Sequence, residues 1–188
     1  MTKTPIIIDT DPGIDDAAAL AIAIGSDKVD VRLITTVGGN VSLENVSNNV
    51  LKLLKFWDKK IPVAKGAKGP LVRSLSDASA IHGASGMDGF EFDGLADGCL
   101  LTEVAVEALY KEITRSNTPV TIVAIGPLTN IALLLKVHPD SKSNIERLII
   151  MGGTITRGNK GVLSEFNMAT DPEAAKIVFS SGVPIVMV

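Results

Sequence analysis

Cysteine is almost absent from this sequence, and aromatic side chains are few. A single cysteine, Cys99, excludes an internal disulfide and a metal site built from several thiolates. Aromatic residues make up 4% of the chain, so the interior must consist mainly of Ile, Val, Leu and Ala. Runs rich in valine and isoleucine are typical of strands that are covered on both faces, as in a parallel sheet.

Long apolar runs and clusters of basic residues are also missing. No run reaches the ~20 apolar residues that a membrane-spanning helix needs, and no signal-peptide layout precedes the first strand pattern. The net charge is −3 and the pI about 5.4, which argues against nucleic-acid binding driven by phosphate contacts. We therefore expect a soluble, cytoplasmic protein that binds neither membranes nor nucleic acids.

The chain has the size of one globular domain, with 188 residues of which 46% are hydrophobic. Short β-rich runs alternate with helical periodicity, which is the pattern of βαβ units. We predict a single α/β domain over residues 1–188, with an open, mainly parallel sheet and helices on both faces.

The predicted elements follow one another at short intervals. Strands are predicted at 5–9, 30–37, 61–64, 120–125, 147–151 and 184–188. Helices are predicted at 15–25, about 42–57, about 101–116, after Gly126-Pro127 to about 137, and from Asp171 onward. Two polar segments remain, 65–99 and 154–170, and the first is long enough to be a functional loop or a lid.

Four predicted strands end in polar or glycine-rich turns. The turns are DTDPG at 9–13, VGGN at 37–40, IGPLTN at 125–130 and MGG at 151–153. Since the carboxyl ends of parallel strands share one edge of the sheet, we expect all four turns to lie along the edge where ligands bind in open α/β sheets.

Four carboxylates directly follow the first predicted strand: Asp9, Asp11, Asp15 and Asp16. Ionised together they would repel one another unless their pKa values rise or a cation intervenes. Ca²⁺ and Mg²⁺ prefer oxygen ligands, and a sharp turn at Pro12 lets Asp11 and Asp16 converge. One such aspartate is usually a helix N-cap, but four at this spacing favour a divalent cation site.

Phosphate-binding alternatives fit the sequence poorly. It contains neither GxxxxGK[ST] nor a GxGxxG after the first strand. The Asp9/Asp11 pair superficially resembles haloacid-dehalogenase-type phosphotransferases, but PGIDD follows where that family has a Thr or Val shortly after the second aspartate. A phosphotransferase is therefore disfavoured.

The segment DTDPGIDD at 9–16 resembles the signature of the inosine-uridine-preferring nucleoside hydrolases. Five further motifs support the resemblance in order: VGGN at 37–40, His82-Gly83, GPLTN at 126–130, MGG at 151–153, and EFN at 165–167 with DPEA at 171–174. The resemblance covers essentially the whole chain. It implies a Rossmann-like fold and an N-ribohydrolase of purine and pyrimidine salvage, which cuts ribonucleosides into ribose and free base with a Ca²⁺-bound water.

The resemblance also implies roles for individual residues. Asp11 matches the aspartate that contacts Ca²⁺ and takes a proton from the attacking water, while Asp16 and the carbonyl of Ile125 match further Ca²⁺ ligands. The residues that match ribose-binding or ribose-lining residues of the family are Asp15, Asn40, Met151, Asn159, Glu165 and Asn167. His82 lies in the loop that approaches the base.

Ordinary structural explanations remain open for several of these residues. Asn40 and Asn159 also suit turns, and His82 suits a surface loop. Met151 also suits a position in the core. Phe166 also suits an inward-packed residue, with Glu165 and Asn167 sharing one face.

Family members are usually longer, so the resemblance implies that the C-terminal part of the domain is missing. That part normally carries a His-Asp pair, whose Asp completes the Ca²⁺ ligand set and whose His helps to protonate the leaving base. Neither His82 nor His138 matches it; His138 is expected to cap a helix C-terminus. Two hypotheses follow: an active Ca²⁺-dependent hydrolase, or a weak or inactive homologue that only binds ribose or nucleoside and Ca²⁺. In both cases the resemblance implies a homo-oligomer, a dimer or a tetramer.

Overall fold

The computed structural model describes residues 3–188, apart from the side chain of His82. Its strands are β1 (Thr4–Thr10), β2 (Val29–Thr36), β3 (Val63–Lys65), β4 (Val120–Ala124), β5 (Ile145–Ile150) and β6 (Ile185–Met187). They form one parallel sheet in the order β3-β2-β1-β4-β5-β6. The predicted open parallel sheet is confirmed, and its order is that of doubly wound α/β folds.

The helices agree with the predicted ones to within a few residues, and two short ones are additional. They are α1 (Ile14–Gly25), α2 (Leu43–Phe56), α3 (Ser79–His82), α4 (Ala105–Arg115), α5 (Thr129–Val137), α6 (Phe166–Thr170) and α7 (Pro172–Phe179). A 3₁₀ helix at Pro139–Asn144 connects α5 to β5. Helices α3 and α6 lie in segments predicted as loops. Each has at most five residues, too few to produce a helical periodicity in the sequence.

Two apolar clusters cover the two faces of the sheet. Ile7 packs with residues of α4, α5 and α7, whereas Ile6 and Ile8 pack with residues of α1 and α2. Successive side chains of a strand point to opposite faces, so β1 is buried on both sides at the centre of the sheet. The prediction of helices on both faces is confirmed.

The carboxyl ends of the central strands lie level with one another. The register pairs Thr10 of β1 with Thr36 of β2, and Ala124 of β4 with Ile150 of β5. Polar turns begin directly after these residues, so the predicted gathering of the turns at one edge is confirmed.

Three smaller features complete the fold. Cys99 is a buried free cysteine, and His138 is the C-cap of α5, where its N–H donates to the Leu134 carbonyl. None of the helices in the described residues is long and apolar enough to cross a membrane.

Candidate active site

Asp11 follows β1 and is fully buried. Its Oδ2 accepts a hydrogen bond from the backbone N–H of Asn40 at 2.7 Å, but its Oδ1, also buried, has no hydrogen-bond donor among the described residues. Burial raises the pKa of Asp11 well above its ordinary value, and the charge of nearby Asp16 raises it further. A buried carboxylate oxygen without a donor is costly unless a proton or a cation binds it.

Two glycines allow the neighbouring turns to approach Asp11 this closely. A Cβ on Gly39 would overlap Asp11 Oδ2 and lie 2.9 Å from Pro127 Cδ. A Cβ on Gly126 would lie 2.6 Å from Asp11 Oδ1. The VGGN and GPLTN turns therefore enclose this carboxylate only because they carry glycine at these two positions.

Asp16 lies beside Asp11 in the first turn of α1 and is 5% exposed. Its Oδ1 accepts from the Thr10 hydroxyl at 2.8 Å, and its Oδ2 accepts from Gly13 N at 3.1 Å and from Asn40 Nδ2 at 3.3 Å. Burial raises the pKa of Asp16 to about 6, although the bonds from Gly13 and Thr10 oppose the rise. Asn40 thus contacts both carboxylates, which lie together as predicted.

Asp9 is a third buried carboxylate at this edge, and its surroundings are a feature that the motifs did not reveal. Its Oδ1 accepts from the Thr35 hydroxyl and from Asn130 Nδ2, the latter at 2.8 Å, while its buried Oδ2 has no donor in the described part of the chain. Burial raises the pKa of Asp9 to about 7. Asn130 also donates to the Thr36 carbonyl at 3.0 Å and so joins the ends of β1 and β2 to the start of α5.

Basic side chains do not neutralise this cluster. Among the described residues, no lysine or arginine forms an ion pair with Asp9, Asp11 or Asp16. The same residues contain no group of three or more His, Cys, Asp or Glu side chains that could hold a metal ion. Within these residues, Asp9, Asp11 and Asp16 are thus buried carboxylates that no lysine or arginine neutralises.

The segment around α6 brings further polar groups to the ends of β4 and β5. Asn167 Nδ2 donates to the carbonyls of Ile125 and Met151 at 3.1 and 3.2 Å. Glu165 is the N-cap of α6, where its Oε1 accepts from Asn167 N at 2.8 Å, and its Oε2 accepts from Gly153 N at 3.0 Å. These bonds orient the buried Glu165 and Asn167 side chains.

A pocket of about 320 Å³ opens above the cluster. Its walls come from the first turn of α1, from residues that follow β2, β4 and β5, from α3 and the residues before it, and from the segment before and within α6. The lining residues are Asp15, Asp16, Asn40, Asp77, Ala78, Ala80, Ile81, Ile125, Met151, Asn159, Lys160, Glu165, Phe166 and Asn167. Carboxylates, amides and apolar side chains thus surround one cavity, whose size and mixed lining are typical of a small-molecule site.

The sequence model for inosine-uridine preferring nucleoside hydrolases matches residues 6–188. The chain belongs to this family.

Relatives of known name agree with the family assignment. A non-specific ribonucleoside hydrolase, RihC, of Klebsiella pneumoniae is 52% identical over 185 residues, which are 98% of this chain and 60% of that protein. RihC of Salmonella enteritidis is 52% identical over 183 residues, or 97% of this chain and 59% of that protein.

Solved structures of nucleoside hydrolases have the same fold. The plant nucleoside hydrolase PpNRh1 superposes with a TM-score of 0.92 at 37% identity, covering 100% of this chain and 60% of that one. A purine-preferring ribonucleoside hydrolase from Gardnerella vaginalis gives a TM-score of 0.92 at 30% identity, covering 98% and 60%. The Rossmann-like nucleoside hydrolase fold is confirmed, and this chain spans about 60% of the length of these relatives.

Most residues that the resemblance singled out lie around the pocket. The residues that line it are Asp15, Asp16, Asn40, Ile125, Met151, Asn159, Glu165 and Asn167. Asp11 does not line the cavity but is hydrogen-bonded to Asn40, which does. The side chain of His82 lies outside the part of the chain that the structure describes. The roles of these residues in binding and catalysis remain predictions.

Two structural alternatives for these residues are wrong. Met151 is 39% exposed at the pocket and is therefore not a core residue. Glu165 and Asn167 are buried while Phe166 between them is partly exposed, and all three line the pocket. The hydrogen bonds that these polar groups make at the strand ends favour their burial over that of the phenyl ring.

Other residues of the pocket were missed by sequence reasoning: Asp77, Ala78, Ala80, Ile81, Lys160 and Phe166. Lys160 and Phe166 are neighbours of residues that the resemblance had marked, and Lys160 Nζ lies 5.2 Å from the centre of the Phe166 ring. Adjacency was the one available signal for them. Asp77 and Ala78 lie in a long polar segment whose path across the pocket has no local signature.

Proposed function

We propose that this chain hydrolyses the N-glycosidic bond of ribonucleosides to ribose and free base, with Ca²⁺ as its cofactor. The observation that carries the proposal is the environment of Asp11. Its carboxylate is fully buried and bonds to Asn40, a residue that lines the pocket. In the part of the chain that the structure describes, one of its oxygens has no donor. Such a group is suited to accept a proton from a water molecule that attacks a sugar carbon.

The residues present fit a hard divalent cation. Within the described residues, Asp11 Oδ1 has no donor, and the neighbouring carboxylates of Asp11 and Asp16 have no basic partner. Asp16 and Ile125 line the pocket. Carboxylate and carbonyl oxygens are the ligands that Ca²⁺ prefers. We propose that Asp11, Asp16 and the Ile125 carbonyl hold it. Bound Ca²⁺ supplies Lewis acidity, which makes water easier to deprotonate.

The ribose ring is proposed to lie against the polar wall of the pocket. We propose that its hydroxyl groups bind Asp15, Asn40, Asn159, Glu165 and Asn167, and that the ring packs against Met151. Loss of the base develops positive charge on the ribose, and carboxylates close to the ring stabilise that charge. His82, in the loop that leads across the pocket, is proposed to approach the base.

The relatives support the same substrate class. The proteins from Klebsiella and Salmonella are named as ribonucleoside hydrolases, and the solved structure from Gardnerella as a purine-preferring one. Because this chain spans about 60% of their length, its turnover must be measured directly.

The test is release of reducing sugar from inosine, uridine and cytidine, each incubated with the purified chain and Ca²⁺. We expect EGTA to abolish the release and Asp11→Asn to lower it by about a thousandfold or more. The matched control, Asp27→Asn, should leave the release unchanged, because Asp27 is exposed in the turn between α1 and β2. Sugar release that is the same in Asp11→Asn would refute the proposal. Binding of inosine and Ca²⁺ without release would favour the alternative, a chain that binds nucleoside but does not hydrolyse it.

A dimer or tetramer, the single domain and the cytoplasmic location stay predictions. Light scattering of the purified chain tests the first, since a monomeric mass at micromolar concentration would contradict it.

A further inference from the structure

Residues 77–88, here named the pocket loop, form one wall of the pocket. Asp77, Ala78, Ala80 and Ile81 line the cavity. The first anchor of this loop is a hydrogen bond from Ala78 N to the Asn40 carbonyl at 2.8 Å. The wall is thereby attached to the residue that also contacts both carboxylates.

Two asparagines of α2 hold the other end of the pocket loop. Asn45 Nδ2 donates to the Ala84 carbonyl at 3.0 Å, and Asn49 Nδ2 donates to the Ser85 carbonyl at 2.8 Å. The two asparagines are four residues apart and therefore lie on one face of the helix. Consecutive carbonyls of the loop are thus bound by consecutive turns of α2.

Asn49 makes a second contact that connects the loop to the carboxylate cluster. The same Nδ2 lies 3.2 Å from the carbonyl of Pro12, in the turn between Asp11 and Asp16. Its side chain is 1% exposed. One buried amide thereby joins the proposed metal-binding turn to the loop that walls the pocket.

The packing at this junction is tight. Gly86 has a φ of +85°, and a Cβ there would lie 3.0 Å from Asn49 Nδ2 and 2.9 Å from Val41 Cγ2. The loop therefore rests directly on the amide. An asparagine inside a helix is less favourable than an apolar residue, and its burial is costly unless its amide is bonded. If residue 49 served packing alone, leucine would be more favourable there than asparagine.

We infer that Asn45 and Asn49 are positioning residues, which hold the pocket loop in place over the bound nucleoside. The inference rests on the proposed function. Among the described residues, the Asn45 side chain hydrogen-bonds only to the loop, so its loss is expected to weaken nucleoside binding. Asn49 contacts the loop and the Pro12 turn, so its loss is expected to affect both binding and the catalytic step.

The experiment compares Asn45→Ala and Asn49→Leu with Asn48→Ala. Asn48 lies on the same helix and is partly buried, and it makes no side-chain hydrogen bond within the described residues, which makes it a matched control. The readouts are KM and kcat for inosine, the Kd for inosine, and amide hydrogen exchange of residues 77–88. We expect Asn45→Ala to raise KM and Kd about three- to tenfold at nearly constant kcat. Asn49→Leu should raise KM and also lower kcat. Both variants should speed amide hydrogen exchange in the loop.

The exchange measurement separates this inference from the proposed function, because it requires no turnover. A parent chain that neither hydrolyses nor binds inosine would refute the proposed function, while faster loop exchange in the two variants would still support the positioning role. Unchanged exchange in both variants, or an equal change in Asn48→Ala, overturns the inference. If Asn49→Leu does not fold, Asn45→Ala alone decides between these outcomes.

Discussion

The backbone N–H of Asn40 donates to Asp11 Oδ2 at 2.7 Å although 29 residues separate the two. Asp11 follows β1 and Asn40 follows β2, and these neighbouring parallel strands end level with each other. The bond fixes one carboxylate oxygen and leaves the other without a donor. It therefore determines which oxygen of Asp11 is free for a proton or a cation.

The Asn40 side chain is expected to stabilise the carboxylate cluster beyond this backbone bond. Asn40→Ala removes the donations of Nδ2 to the Asp11 carbonyl at 3.0 Å and to Asp16 Oδ2 at 3.3 Å. Loss of these buried bonds should lower the free energy of unfolding by about 1–3 kcal/mol, as measured by urea denaturation, and should weaken Ca²⁺ binding in calorimetry. Unfolding and Ca²⁺ binding identical to those of the parent would contradict this role.

Gly39 is expected to tolerate no side chain. Gly39→Ala places a Cβ within the contact distance of Asp11 Oδ2 and of Pro127, so the turn must shift. We expect a loss of about 1–3 kcal/mol in the free energy of unfolding. The control is Gly25→Ala, whose Cβ would meet nothing within 4 Å and which should be neutral or slightly stabilising. Equal stability of the two variants would show that the turn adapts.

Asp171 is expected to stabilise the fold, because its side chain accepts hydrogen bonds from residues of three segments. It is fully buried, caps α7 by accepting from Ala174 N, and accepts from Thr129 Oγ1 and from Leu71 N at 2.6 and 2.9 Å. Asp171→Ala should cost about 2–4 kcal/mol, because a helix cap and two further bonds are lost together.

The comparison for Asp171 is Arg73→Ala. Arg73 pairs with Glu173 at 2.6 Å and is half exposed, so its loss should cost less than about 1 kcal/mol. Both values come from urea denaturation. A cost for Asp171→Ala as small as that for Arg73→Ala would mean that the three bonds contribute little.

The three buried carboxylates are expected to give an unusual dependence of stability on pH. Burial raises the pKa to about 7 for Asp9 and about 6 for Asp16, and raises that of Asp11 as well. Between about pH 4 and pH 7 the folded chain therefore holds protons that the unfolded chain has released. Without divalent cations, each group should lower the free energy of unfolding by up to about 1.4 kcal/mol for each unit that the pH rises from about 4 to its own folded pKa, which is about 6 for Asp16 and about 7 for Asp9.

The effect of Ca²⁺ should run in the opposite direction. Its binding requires ionised carboxylates, so the stabilisation by Ca²⁺ should grow as the pH rises from 4 to 7. Urea denaturation at several pH values, with EGTA and with CaCl₂, measures both trends, and Asp9→Asn should reduce the slope in EGTA. A free energy of unfolding that rises with pH in EGTA would contradict the assignment of raised pKa values.

The fold was largely predictable because its elements are encoded locally. Alternating apolar strands and amphipathic helices gave the open parallel sheet with helices on both faces. The Asp171-Pro172 start of α7 was predictable from the capping side chain and the proline. Helices α3 and α6 were not predictable, because a helix of five residues or fewer produces no periodic pattern. The Glu165 cap of α6 accepts from the backbone of Asn167 and Met168, which are its immediate neighbours in sequence.

The sequence by itself determined the family, the sheet and the placing of Asp11, Asp16 and Asn40 at strand ends, because motifs and periodicity are local properties of a chain. Only the tertiary structure decided that Asp77 and Ile81 wall the pocket, that Asn49 reaches both Pro12 and Ser85, and that Asp171 bonds to Leu71. The residues that these three hydrogen bonds join are 36 to 100 positions apart in the sequence. A hydrogen bond between such distant groups depends on how the elements pack, and no pattern within a short window of sequence specifies it.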